Sequence, residues 1–159
     1  MLVVLSACAA VGPQIGPDGR PLPEVYRISA AQESRIQTRT LETVNALRLA
    51  SGALPLTLNP ALNTAAAAHS RDMSKQERAW HFGSDGSSPL DRVVRAGYTG
   101  VFKGENISES YETELETLAA WMEAPDTREV LLNPEAREMG FSFYQEPNGK
   151  IWWTLVTGG

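Results

Sequence analysis

The chain reads as an α+β protein, a helical body followed by an antiparallel strand pair. Apolar residues recur three and four positions apart from about Ser29 onward, and cap-plus-proline signals open several of these segments. Near the C-terminus the text changes to alternating or continuous apolar and aromatic residues on either side of a tight-turn sequence.

The first helix is carried by Ile36, Leu41, Val44 and Leu47, with Ser51-Gly52 as its stop. After the short apolar "LPLTL", Asn59 supplies an N-cap and Pro60 the first helical residue, where a missing N–H costs nothing. Leu62, Ala65, Ala66, His69 and Met73 form the inward stripe of this second helix, so His69 points with the apolar face. A Gly- and Ser-rich loop, "AWHFGSDGSS", leads to a third helix started by Ser88-Pro89-Leu90-Asp91 and ended by Gly97. Thr113 with Glu116 is a capping box for a fourth helix whose predicted buried side is Leu115, Leu118, Trp121 and Met122, with Pro125 as its end. Asp126 and Glu129 repeat the capping pattern for a short fifth helix over "TREVLL", closed by Asn133-Pro134. "EMGFSFYQ" and "KIWWTLVT" then read as strands joined by "EPNG", an Asn-Gly hairpin signal. Adjacent tryptophans on a strand face opposite ways, and core packing is the expected role of Trp152 and Trp153.

A length of 159 residues with 42% hydrophobic and 21% charged residues suits one soluble domain. The net charge of -5, with lysines and arginines scattered, excludes the basic stripe that nucleic acid requires. The acidic run "ESYETELETL" reads as a solvated helix face. Cys8 is the single cysteine, so no intrachain disulfide forms. It follows the apolar Leu2 to Ala7, and Leu5-Ser6-Ala7-Cys8 resembles a bacterial lipobox, in which the chain is cut before the cysteine and the thiol is acylated. That likeness implies export and a membrane anchor at Cys8. The chain divides into a signal remnant over 1–8, a Pro- and Gly-rich tether over 9–28, and a domain over 29–159.

Only His69 and His81 can supply an imidazole. A lone histidine on an apolar helix face is expected to be a structural residue satisfied by a carbonyl or hydroxyl, which is the reading for His69. His81 lies in a glycine-flanked loop, where functional residues concentrate. Glu105 follows Gly104 in what reads as a turn, and two roles stay open for it: orienting an imidazole, or accepting backbone N–H groups. Sequence spacing alone does not join Glu105 to His81.

The ordered segments "NALRLASGALPLTLNPAL", "AAAAHSRDM", "HFGSDGSSPLDRVVRAGY", "GENI", "AAWMEAPDTREVLLNPEAREMGFSF" and "WWTLV" resemble the bacterial branch of the CAP, or SCP-like, superfamily over about Arg35 to Val156. The resemblance implies an α-β-α sandwich with a central antiparallel sheet between helical layers. It also implies a cleft gathering two His and two Glu, which in some relatives holds a divalent cation such as zinc. His81 matches the first cleft histidine and Glu105 the Gly-Glu-Asn carboxylate. Thr127 stands where the second histidine would be, and Glu123 lies one residue before the position of the second glutamate, which is Ala124 here. With Asn106, these two complete the candidate ligand-binding residues. One His and one carboxylate make a poor zinc site, so at most a weakly bound divalent cation is expected.

Two functions follow. The first is an exported, membrane-anchored binding module that holds a lipid, cell-envelope component or partner around His81 and Glu105. The alternative is a hydrolase with His81 as general base oriented by Glu105; the loss of the second histidine weighs against it. Ser84, Ser87 and Ser88 lie close in sequence, but in a polar loop serines cap and turn more often than they attack.

Overall fold

Helix α1 (Ala30–Ala50) starts at Ser29, whose backbone N–H donates to Gln32 Oε1 at 2.8 Å. The computed structural model describes residues 26–159, with Ile15, Pro17, Gly19 and Arg20 upstream. The expectations for Cys8, for segment 1–8 and for most of the 9–28 tether lie outside the described residues. The buried face of α1 is Ile36, Thr40, Val44 and Arg48, one residue per turn. Arg48 is fully buried, and no carboxylate among the described residues forms an ion pair with it. Its guanidinium donates to the carbonyls of Leu54, Leu131, Asn133 and Ala136 at 2.7 to 3.1 Å. Burial, reinforced by the charge of Arg137, pulls its pKa down from the usual arginine value.

Strand β1 (Thr57–Leu58) is followed by α2 (Pro60–Gln76), where Asn59 Oδ1 accepts the N–H groups of Ala61 and Leu62. Helix α3 (Pro89–Arg95) has the reciprocal Ser88–Asp91 box, and Gly97 at φ +86 ends that turn. Strand β2 (Phe102–Glu109) comes next, then α4 (Glu114–Glu123) under the Thr113–Glu116 box and α5 (Pro125–Leu132). The hairpin of β3 (Glu138–Gln145) and β4 (Ile151–Gly158) closes the chain.

The sheet order is β1-β3-β4-β2, with β4 in the middle of an antiparallel trio and β1 added parallel to β3. Helices α1, α4 and α5 cover one face, meeting Phe141, Trp153 and Leu155. On the other face, α2 and α3 meet Val156. Trp152 and Trp153 are both fully buried, and their indole N–H groups reach Glu146 Oε1 and the Tyr111 carbonyl.

Several sequence expectations need correction. Glu105 sits within β2 rather than in a turn, and the sheet has four strands, one paired parallel, where the sequence showed two. "FKGENISE" has weak intrinsic strand preference; pairing with β4 from Phe102↔Gly158 to Glu109↔Trp152 overrides it. Leu115 is exposed, and Glu114 and Thr117 take the inward positions beside Leu118 and Trp121. The fifth helix has Ala124 as N-cap without a side-chain cap bond, because Pro125 forces the residue before it into an extended conformation and Asp126 falls inside the first turn.

The N-terminal segment is stitched to the hairpin. Ile28 N–H donates to Gln145 Oε1, Gln145 Nε2 donates to the Tyr26 carbonyl, and Arg27 reaches the carbonyls of Glu146 and Pro147 in the turn. On the α2 face, a Cβ at Gly140 would lie 2.1 Å from the carbonyl carbon of Leu62, so helix backbone rests directly on strand backbone. Gly140→Ala should cost on the order of 3 kcal/mol and lower Tm by roughly 9 °C in a thermal melt. Arg48→Met takes a donor away from four carbonyls, those of Leu131 and Ala136 in buried contacts, and chemical denaturation should show a loss of about 3 kcal/mol.

Candidate functional site

Strand β2 turns Glu105 toward α2 and α3, and alternation turns Gly104 and Asn106 toward α5. The Glu105 carboxylate is buried, with its side chain only 2% exposed. Three hydrogen bonds serve it: Arg92 Nη2 reaches Oε1 at 2.9 Å and Oε2 at 2.8 Å, and His81 Nδ1 reaches Oε1 at 2.9 Å. Arg92 belongs to α3 and is itself buried, with Nη1 donating to the Ser87 carbonyl at 3.1 Å. A carboxylate only accepts, so Nδ1 of His81 carries a proton, and in the neutral ring Nε2 holds the lone pair. The His81 side chain is half exposed, and Nε2 has no partner among the described residues.

Loop geometry delivers His81. Helix α2 ends at Glu77, a left-handed residue at φ 50, and the chain folds back along the helix. Asp72 of α2 ties the return, accepting the Ser84 N–H and hydroxyl, both at 2.6 Å; these bonds outweigh burial and hold its pKa below the ordinary carboxylate value. Gly86 at φ +79 makes the bend before the α3 cap. Trp80 and Phe82 flank His81 with ring centroids 5.6 Å apart, and Arg78 lies over the Trp80 ring.

His69, fully buried on α2, approaches the same carboxylate, its Nε2 lying 3.7 Å from Glu105 Oε1. That nitrogen is 2.9 Å from the Trp80 carbonyl, so it carries the proton, and Nδ1 is left without a partner. Burial pushes the His69 pKa below its ordinary value despite the opposing pull of Glu105, and the ring is neutral.

The structure therefore brings His81, Glu105 and His69 together, with Arg92 among them. It does not bring the other candidates to that point. Asn106, on the opposite face of β2, donates from Nδ2 to the Thr127 carbonyl at 2.7 Å. The Thr127 hydroxyl donates to the Trp121 carbonyl at 2.7 Å, and Glu123 is exposed at the end of α4. Ser84 is bound to Asp72 and Ser88 caps α3, so neither hydroxyl is poised as a nucleophile. Arg92 escaped the sequence reading. Its signal was spacing: Arg92, Val93 and Ala96 share the inward flank of α3, and an arginine on such a flank implies a buried acid.

The residues present do not fit a divalent cation. Both Glu105 oxygens are occupied by a guanidinium, and the hydroxyl in the second histidine position is directed to a carbonyl. Among the described residues, no group of three or more His, Cys, Asp or Glu side chains is placed to hold a metal ion.

The three-layer α-β-α fold is shared with solved proteins that carry an SCP domain. The chain belongs to the CAP, cysteine-rich secretory protein family, which it matches over residues 41–157. It is 30% identical over 119 residues to the Bacillus subtilis protein YkwD; that match takes in 75% of this chain and 46% of YkwD, so the chain spans less than half of that relative's length. An extracellular SCP-domain protein of Bacillus anthracis superposes with a TM-score of 0.73 at 19% identity, over 84% of this chain and 45% of the other. An outer surface protein of Borrelia burgdorferi gives 0.67 at 17% identity, over 85% and 98%. At such identities the solved structures speak for the fold alone.

Glu105→Ala should lose roughly 3–5 kcal/mol in urea unfolding, because it strands the buried Arg92 charge. The folded chain keeps His69 neutral, whereas the unfolded chain protonates it near about 6.5. Below that pH the unfolded state binds more protons, so stability falls as pH falls, with a limiting slope of about 1.4 kcal/mol per pH unit from this group. His69→Gln, which retains a donor for the Trp80 carbonyl, should flatten that slope in denaturation series run between pH 7 and 5.

Proposed function

We propose that this chain is an exported cell-envelope protein whose CAP domain binds a ligand at the surface formed by His81, Phe82 and the α3 flank, rather than turning one over. One observation carries this reading: Glu105 is fully engaged, with Arg92 on both oxygens and His81 on one. A carboxylate so held is a fixed support for the imidazole. What it supports is a half-exposed ring with one free acceptor nitrogen, next to the exposed Phe82. That pairing suits recognition of a lipid or envelope component with a hydrogen-bond donor beside an apolar part. Export and lipid anchoring rest on the lipobox-like start at Cys8, and the extracellular and surface-protein relatives agree with export. No helix among the described residues is long and apolar enough to cross a membrane, so acylation at Cys8 would supply the attachment.

A second reading is favoured by the tautomer. A carboxylate on Nδ1 leaves the Nε2 lone pair outward, the arrangement a general base requires. Water activation by His81 is the form of catalysis this geometry supports, since the neighbouring serines Ser84 and Ser88 are tied to aspartates.

His81→Ala separates the two readings without removing the Arg92–Glu105 pair. Under the binding reading, affinity for envelope fragments or lipid vesicles falls about tenfold in a sedimentation or fluorescence assay, and no ester or peptide in a panel is turned over by either protein. Turnover by wild type that disappears in His81→Ala establishes the hydrolase instead. Unchanged binding overturns the first reading. Mass spectrometry of the membrane fraction tests the anchor: an acylated N-terminal Cys8 is expected, and an internal, unmodified Cys8 rejects it.

A further inference from the structure

Helices α2 and α3 border an open cleft of about 340 Å³. Thr64, Ala68, Asp72 and Lys75 form its α2 wall, and their spacing at every third or fourth residue sets them in one stripe of that helix. Arg92, Arg95 and Ala96 come from α3 and its C-cap, and the loop between the helices adds Ser84 and Asp85. Ala65, Ala68 and Ala96 contribute only methyl groups, which leaves the space unfilled. Neither His69 nor His81 lines it, so the cleft is separate from the surface around His81.

The acids of this cleft are spent on the protein, and its cations are not. Asp72 accepts the Ser84 N–H and hydroxyl at 2.6 Å and Gln76 Nε2 at 2.8 Å, while Asp85 accepts the Ser87 N–H at 3.0 Å and Arg95 Nη1 at 2.8 Å. Lys75 has no acceptor among the described residues, and Arg95 keeps Nε and Nη2 free of one. Arg92, only 7% exposed, also has a donor without an acceptor, at Nε. A visiting group must therefore accept hydrogen bonds and carry negative charge. The planar fork of Arg95 suits a carboxylate, with Lys75 as a point charge beside it. Ser84 donates its hydroxyl proton to Asp72, so its lone pairs remain for one N–H of the ligand. A carboxylate, an N–H close to it and small apolar side chains for the alanine floor together describe the end of a peptide chain. We propose that the cleft between α2 and α3 binds the C-terminal carboxylate of a short peptide with small side chains, held between Lys75 and Arg95. The inference stands apart from the ligand proposed for His81 and holds whichever function is correct.

The test is an NMR titration of the ¹⁵N-labelled chain with N-acetyl-alanyl-alanine. Saturable shifts are expected at the amides of Ala68, Lys75, Ser84 and Ala96, with a Kd of roughly 1 mM because both cations are open to solvent. The same dipeptide with a C-terminal amide keeps the shape and loses the charge, and it should bind at least about tenfold more weakly. Lys75→Gln and Arg95→Gln should each weaken the acid about fivefold, and the double variant should show no saturation. Neither residue is buried, so both variants should keep the wild-type Tm. Ala68→Leu fills the floor with the charges intact and should also abolish binding; Ala68 is exposed, so the fold tolerates the change. Equal binding of acid and amide overturns the proposal, as does undiminished binding by the double variant or by Ala68→Leu. Acetate or inorganic phosphate binding as tightly as the dipeptide shows a bare anion site and overturns it too. Shifts centred on His81 and Phe82, or no saturation at tens of millimolar, reject the cleft outright.

Discussion

The contact between Arg92 and Glu105 is the constraint on which this side of the molecule turns. A carboxylate side chain 2% exposed and a guanidinium 7% exposed are each costly to bury, and neither is tolerable without the other. Satisfying them fixes the distance between α3 and β2 and leaves Oε1 able to accept His81 as well. The loop over α2 then has little choice of path, since Asp72 and the Arg92–Ser87 bond hold it at two further points. The site is therefore organised around charge compensation, with hydrophobic packing supplied by Leu62, Ala65, Val93 and Val156 beneath.

Helix starts were legible in the sequence because caps are local chemistry. Asn59-Pro60, Ser88 with Asp91 and Thr113 with Glu116 each place their donors and acceptors within three residues, and all three occur as read. The hairpin was equally open, since its turn and its two apolar strands are contiguous. Strand β2 was hidden for the opposite reason. Gly104, Glu105 and Asn106 argue against a strand individually, and what makes them one is β4, some fifty positions away. Arg92 was concealed for another reason: its partner Glu105 lies 13 positions on, but on β2 rather than on its own helix, so the helix pattern shows that Arg92 faces inward and not which acid it meets. His69 was placed on its inward face from spacing alone, but which acid it would approach could come only from the packing of α2 against the sheet.

That packing is unusually direct. Gly140 lets the α2 backbone lie against β3, and Ser70 on the same helix donates to Thr154 of β4 at 2.8 Å. A helix seated by its backbone has little freedom to slide, so the positions of His69 and Asp72 are set by the sheet itself. The opposite layer is held differently, through Arg48, which gathers carbonyls from the end of α5 and from the segment leading to β3. The two faces thus use different means, one steric and one polar, to hold the helices to a common sheet.

The bonds from Tyr26, Arg27 and Ile28 to the β3–β4 turn decide where tension enters the molecule. Any load on the amino-terminal segment would be received at that turn, at one tip of the sheet, before it reached a helix. Glu105 pairs with Val156, five residues along β4 from Ile151, which is about 17 Å of strand. The contacts of Tyr26, Arg27 and Ile28 and the pair of His81 with Glu105 are consequently spaced by the length of a strand, and strain at the first need not disturb the second.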